Sequence, residues 1–548
     1  MKKLILLLSF VLLVIISFAQ TPAKNKFDKP GVNSKFAVIV TSADINVLQN
    51  VSRDSLLELR LNDRFHKNNS ENMFVNVYRK GYVDSLQVTP YTGGIVETKT
   101  RVTTQNRTTT GTTRAVPGTY ATLTAAYTAA VNGDIILVAA GTYEMSAESG
   151  GYWLVNTSTK GVIVRGATGN PADVIFNHTS NATYGIRLRD CLDMQFENIT
   201  FQSSGTFAPF IMEQAYASNF VKFKNCILNQ TSGGASGVFG RTSLTSDTDV
   251  IWVEFENCVI ASNGTITPIQ YTVSGVNETF RMEACTVTTT GLTGIASTIS
   301  YKSDHKGTLC LYDCTFNSSV NNIIIQVGED ETVPTNTTFK TDIRNCSIAY
   351  TGAAYNHAVL LGRGTNKVYC VNNNIYIPST SNTLAIGMVI KTAATAVNDS
   401  YIAGNNILAP RPFYIKGGQN NIIKFNICET NYPTSYFGLD IANPEAIRIS
   451  SGNVVRFNNF YGGLAAIGTY DSASWEDPET TIQGWNINNN RYYSTNGTWA
   501  NISGSSKAFS VKRTIYLNSN DVYSKMITSK IINISTSNIY DNTSTISW

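Results

Sequence analysis

The sequence predicts an all-β chain wound as a right-handed parallel β-helix, and three observations predict it. A short block of alternating apolar residues, closed by an Asn-containing corner, returns along most of the chain. The returns come roughly every 27 to 33 residues, the size class of a solenoid repeat. Composition agrees: only 15% of the 548 residues are charged, the formal net charge is +4, and Asn, Thr, Ser and Gly are abundant. A helical bundle would need more Glu, Lys, Ala and Leu, and this charge balance does not suit a nucleic-acid binder. At this length a large core and more than one domain are expected.

In chain order, residues 1–19 read as a signal peptide. Lys2 and Lys3 precede the apolar run Leu4–Phe18, and Ser17 and Ala19 set small residues before a cut at Gln20. The run is short for a membrane span and no later stretch approaches that length. A secreted, periplasmic or cell-surface location with no membrane span after cleavage is therefore expected. Residues 20–97 hold strand-like pieces, FAVIV and MFVNVY, in a small extra N-terminal region of unassigned fold. Residues 98–118 are Thr-rich and nearly free of large apolar side chains, which reads as a linker or extended arm.

From residue 119 the pattern changes. Leu123, Ala126, Tyr127 and Ala130 fall at helical spacing, Asn132-Gly133-Asp134 stops that helix, and Ile135–Ala139 makes a strand ending at Gly141-Thr142-Tyr143. A short helix feeding a strand suits an N-terminal cap on a stack of strands with an otherwise open end. Residues 119–500 then form the β-helix, about ten or eleven coils by their corner motifs, with cores such as MQFENITF, VKFKNCIL, VEFENCVI, TDIRNCSI and YIAGNNIL. A second strand precedes many corners, as in GIRLRD, GVFGRT, STISYK, GMVIKT and FYIKGG. Residues 501–548 remain a C-terminal segment and candidate cap.

The corner explains the recurring Asn-Cys pair. In VEFENCVI, Val253 and Phe255 face inward, Glu254 and Glu256 face solvent, and Asn257 takes the left-handed turn that Asn tolerates. Aligning the repeats puts Asn198, Asn225, Asn257, Ala284, Asp313, Asn345, Asn372, Asn405, Asn458 and Asn489 at this corner as an Asn ladder. The next residue faces inward again, so Cys226, Cys258, Cys285, Cys314 and Cys346 stack in the core as small hydrophobes. Disulfides are permitted in an exported chain. However, side chains in parallel register point the same way, nine Cys is an odd count, and one column cannot surround a metal. The core-thiol reading is preferred.

The cap segment NGDIILVAAGTY and the recurring corner pattern resemble the pectin-lyase-like β-helix superfamily from about Thr119 to Ala500. The resemblance implies a scaffold shared by lyases, hydrolases, esterases, tailspikes and inert adhesins, so function has to be argued from a site. Basic residues recur near the end of the earlier strand: Arg189, Arg241, Lys302, Arg363, Lys391 and Lys416. In one register they would line a groove for an anionic polysaccharide, with Arg189, Arg241, Lys391 and Lys416 binding substrate. Lys302, Asp304 and His305 share one coil, Glu329, Asp330 and Glu331 the next, and His357 and Arg363 the one after. Cleavage of a uronate polymer by β-elimination needs a base for the proton α to the carboxylate and positive charge for the enolate-like intermediate. Lys302 or His305 supplies the base in this reading, Arg363 neutralises, and Glu329, Asp330 and Glu331 would hold Ca²⁺. The cluster looks like the chondroitinase-B and alginate-lyase branch, although no motif matches residue by residue and no family catalytic assignment carries over. The alternative is a non-catalytic cell-surface or adhesin-like β-helix, favoured by low charge and the lack of a sharp motif.

Overall fold

The structure, a computed structural model, describes residues 100–470 apart from a series of intervening stretches, together with isolated strands outside that span. The chain is a right-handed parallel β-helix with three parallel sheets of 16, 15 and 13 strands, called here sheets 1, 2 and 3. One coil shows the path. Asp193–Glu197 lies in sheet 1, turns at Asn198, and continues as Thr200–Ser203 in sheet 2 and Phe210–Met212 in sheet 3. Asn219–Lys224 then pairs back on Asp193–Glu197. The strand counts exceed the coils counted from corner motifs. Strands such as Ile135–Val138 and Gly161–Gly166 extend the stack at one end, and Ile515–Asn518 and Asp521–Ser524 at the other. Ahead of the stack, Asn76–Lys80 pairs antiparallel with Val83–Gln87.

Like stacks on like inside. Phe196, Phe223 and Phe255 are fully buried on successive coils with ring centroids 5.3 and 4.9 Å apart, each burial contributing on the order of 2 kcal/mol. At the N-terminal end the helix Leu123–Ala129 covers the open coil with Leu123, Ala126 and Tyr127. Thr122 caps it by accepting from Ala125 N, and Lys160 Nζ donates to the Ala130 carbonyl at 3.0 Å beyond its last turn. Asp134, in the turn that stops the helix, accepts from Val131 N at 2.8 Å, Thr112 N at 2.7 Å and Arg114 Nε at 2.6 Å. Gly111 permits this approach, since a Cβ there would lie 2.3 Å from the Asp134 carboxylate.

The corner residues Asn198, Asn225, Asn257, Ala284, Asp313, Asn345 and Asn372 all adopt φ between 51° and 57°. Their side chains form an outer ladder, with Asn225 Nδ2 donating to Asn198 Oδ1 at 2.7 Å and Asn345 Nδ2 to Asp313 Oδ1 at 3.0 Å. Asn405 and Asn458 do not belong to it. Gly404 makes the left-handed turn in the coil of Asn405, so Asn405 falls one position later, where earlier coils carry Cys. The Cys column is thus continued by Asn373, Asn405, Asn426 and Asn458, all buried. Each Asn Oδ1 accepts the backbone N–H of its counterpart one coil earlier, at 2.8 to 3.0 Å. Asn405 Nδ2 and Asn458 Nδ2 also donate to the Cys370 and Ile423 carbonyls. The thiols make a weaker version of the same bonds: Cys258 donates to the Phe223 carbonyl at 3.4 Å, and Cys258 N points at Cys285 Sγ at 3.4 Å. All eight described Cys are buried thiols outside any disulfide, and burial pushes those of Cys258, Cys285, Cys314 and Cys346 well above their usual range.

Glu254 and Glu256 do not both face solvent. The Thr-rich segment lies lengthwise across the outer face of sheet 1 and covers them. Arg101 reaches Asp313 at 2.6 Å, Arg281 Nε donates to the Val102 carbonyl at 2.9 Å, and Gln105 N donates to Glu254 at 3.2 Å. Lys222 Nζ donates to Thr104 Oγ1, the Gln105 carbonyl and Asn106 Oδ1 at 2.7 to 2.9 Å. At the far end Arg107 pairs with Asp193. Six extended residues span about 20 Å, and the four coil steps from Asp193 to Asp313 span about 19 Å, so strap and stack match in length. Beneath the strap Lys222 and Glu254 are fully buried and 3.3 Å apart, with Arg281 2.8 Å from the same carboxylate. Sequence patterning missed this because a strap made of backbone and hydroxyl contacts carries no apolar period.

Candidate functional site

Sheet 3 carries the strands on which basic residues recur, so its register decides which of them stand together. Lys391 and Lys416 end the adjacent strands Ile386–Lys391 and Arg411–Lys416 and are direct partners. Arg241 pairs with Met212 and Tyr271 instead. Following that row through Tyr301, Val327 and Leu361 leads to Ile390, one residue short of Lys391. Arg241 is therefore out of line with the lysine pair, in a row that further along is the buried Val327, Leu361 and Ile390. Arg189 follows Leu188, which aligns with Met212, and so falls in the lysine row. A one-residue slip moves a side chain to the opposite face of a strand, which is why spacing alone merged the two rows. Lys302, Asp304, His305, Glu329, Asp330, Glu331 and Arg363 lie outside the described residues.

The outer face beside the lysine pair is dense. Leu360, Val389, Tyr414 and Asp440 occupy one row on consecutive strands. His357, Ile386 and Arg411 occupy a second. Ile323, Leu360, Ile386 and Val389 form an apolar cluster separate from the helix interior, with Tyr414 packed on it. Arg411 Nε and an Nη of the same guanidinium meet Asp440 Oδ2 at 3.1 and 2.5 Å, and the guanidinium lies 4.6 Å from the centre of the Tyr414 ring. Asp440 is 1% exposed and its Oδ1 has no hydrogen-bond partner among the described residues. Burial pushes its carboxyl above the usual range, against the pull of Arg411.

The face brings two lysine positions into backbone register beside an aromatic ring and a buried acid paired with arginine. Spacing singled out Lys391 and Lys416, but Arg411, Tyr414 and Asp440 emerge only when FGLDIA is laid beside RPFYIK. Among the described residues no group of three or more His, Cys, Asp or Glu is placed to hold a metal ion. No helix among them is long and apolar enough to cross a membrane.

The fold and this face define a parallel β-helix with a mixed ionic and aromatic outer surface. No protein-family model and no curated protein matches the chain. Among solved structures it is similar to a mannuronic acid specific polysaccharide family 6 lyase enzyme from human gut microbiota. That likeness has 9% identity and a TM-score of 0.33, and covers 75% of this chain and 86% of the other. At that identity and superposition it carries no argument about activity.

Proposed function

We propose that the protein is an exported β-helix that binds an acidic polysaccharide along the outer face of sheet 3. The observation that carries this reading is the direct pairing of Lys391 with Lys416 beside Arg411, Tyr414 and Asp440. Stacking at ~4.8 Å per coil sets cations along the helix axis, suited to successive acidic groups of one chain. Arg189 extends the same row toward the N-terminal coils, whereas Arg241 stands in the other row and has no part in this site. In the catalytic form of this reading Lys302 or His305 takes the proton α to the uronate carboxylate and Arg363 stabilises the resulting charge. Ca²⁺ held by Glu329, Asp330 and Glu331 would add positive charge there. Burial of Leu360, Val389 and the Arg411–Asp440 pair favours the second form, a surface protein that binds without cleaving.

Titration of alginate, pectate and chondroitin sulfate into the purified chain tests the binding. Lys391→Ala with Lys416→Ala is expected to weaken it about tenfold, from two charge contacts of ~0.7 kcal/mol each, and added salt should weaken it further. Equal affinity in the double variant, or no binding to any of the three polymers, sinks the reading. Ultraviolet absorbance of unsaturated uronate products, with and without Ca²⁺, separates the two forms. Activity that survives Lys302→Ala and Arg363→Ala removes those residues from the mechanism.

A further inference from the structure

Along the outer face of sheet 1, cations meet acids as far as Arg344. Lys224 lies 3.5 Å from Glu256, Arg281 2.8 Å from Glu254, and Arg344 2.6 Å from Asp342. Beyond Arg344 the same row continues through Val371 and Ala403 to Lys424 and Arg456. Lys424 and Arg456 are direct partners on neighbouring parallel strands, Ile422–Lys424 and Val454–Arg456. Both are half-buried, and among the described residues neither side chain has an acidic or hydrogen-bonding partner. Arg456 Nε is itself buried without an acceptor. Burial, and then the charge of Arg456, pull the Lys424 ammonium below its usual range. Two like charges in register, partly withdrawn from water, are uncomfortable unless an anion joins them.

An aromatic step adjoins the pair on the same face. Tyr369 and Tyr401 are stacked, ring centroids 5.6 Å apart at 17°, and Tyr401 is partnered by Ile422, two residues before Lys424. The diagonal from Tyr401 to Lys424 is then about 8 Å, the reach of one pyranose ring with its acidic substituent.

We propose that Lys424 and Arg456 form a second carbohydrate site on sheet 1, taking the carboxylate of one uronate residue whose ring lies against Tyr401. Guanidinium and ammonium side by side suit a planar carboxylate, the guanidinium in bidentate fashion and the ammonium as a point charge. The site stands on a different sheet from Lys391 and Lys416 and does not depend on the binding proposed there.

The test is calorimetric titration of a galacturonate trimer into the full-length chain carrying Lys391→Ala and Lys416→Ala, at low ionic strength. In that background the tighter of the remaining binding events is expected to be the sheet 1 site. Adding Lys424→Met should weaken it at least tenfold, Lys424→Arg should keep it, and a neutral galactose trimer should not bind. Without ligand, the Lys424→Met chain should be no less stable to heat than its parent, because a like-charge contact is removed. Four results overturn the proposal: no binding in the parent background, affinity unchanged by Lys424→Met, inorganic sulfate binding as tightly as the trimer, or loss of thermal stability in ligand-free Lys424→Met.

Discussion

At the residue scale, Cys and Asn do one job at the inward position after the corner. Both satisfy backbone groups that the turn leaves without strand partners, the thiol weakly and the amide with two good bonds. Asn426→Ala removes the acceptor of Asn405 N at 3.0 Å and of Asn405 Nδ2 at 2.9 Å. It is expected to cost roughly 2 to 4 kcal/mol, since each orphaned buried group costs ~1–3 kcal/mol. Asn426→Cys, which restores the chemistry of the earlier coils, should cost less. Chemical denaturation measures both, and an alanine variant within ~0.5 kcal/mol of wild type would show that the ladder is incidental. The corner was legible in sequence because the left-handed turn selects Asn. Its displacement at Asn405 was not, because Gly404-Asn405-Asn406 offers three residues that can take the turn.

At the element scale, the strap turns an exposed charged sheet into an enclosed ion network. Glu254 is fully buried among Lys222, Arg281, Thr104 Oγ1 and Gln105 N. Glu254→Gln leaves Lys222 and Arg281 short of an anion and is expected to destabilise by roughly 3–5 kcal/mol, the cost of breaking a buried pair from one side. The double change Lys222→Met with Glu254→Leu should cost less, because no charge is left unmatched. Urea unfolding midpoints give the comparison, and trypsin should cut after Arg101 and Arg107 faster in Glu254→Gln. Identical midpoints and cutting rates would mean that the strap contributes nothing to the stack. The segment was readable as extended, but not as docked. Its partners lie more than a hundred residues away, as in Arg101–Asp313, Val102–Arg281, Gln105–Glu254 and Asn106–Lys222.

At the scale of the molecule, each coil rests on its neighbours, so weakening one end unravels the stack from there. Three carboxyls near the strap and cap are held below their usual range. For Asp134, burial works to raise the carboxyl, but hydrogen bonds from Val131 N, Arg114 and Thr112 N outweigh it. Glu144 is lowered against burial by Ser146, Thr179 and Asn177, and Glu256 against burial by Lys222, Lys224 and Thr104. A depressed carboxyl contributes stability that is present above its unfolded value, about 4, and is lost as pH falls through its folded value. Asp440 has the opposite sign: its raised carboxyl takes up a proton on folding above pH ~4, so its contribution declines as pH climbs through the raised value. Asp134→Asn is therefore expected to lower the melting temperature at pH 7, by an amount that shrinks below pH ~4. Melting curves across pH decide it, and a gap that stays constant into acid rules out ionised Asp134 as the source.

What is local and periodic could be read from the residues alone. One coil's strand, corner and inward residue recur in the next, so repeat length, β-helix class, corner Asn and buried thiols follow from a single coil read many times. Tertiary structure alone decided what depends on the loops between strands, whose lengths vary from coil to coil. It separated Arg241 from the row of Lys391 and Lys416, set Arg411 against Asp440, and placed Lys424 beside Arg456. It also laid residues 101–107 over sheet 1. The physical reason is the period of two in a strand: a loop longer or shorter by one residue reverses which side chains face outward.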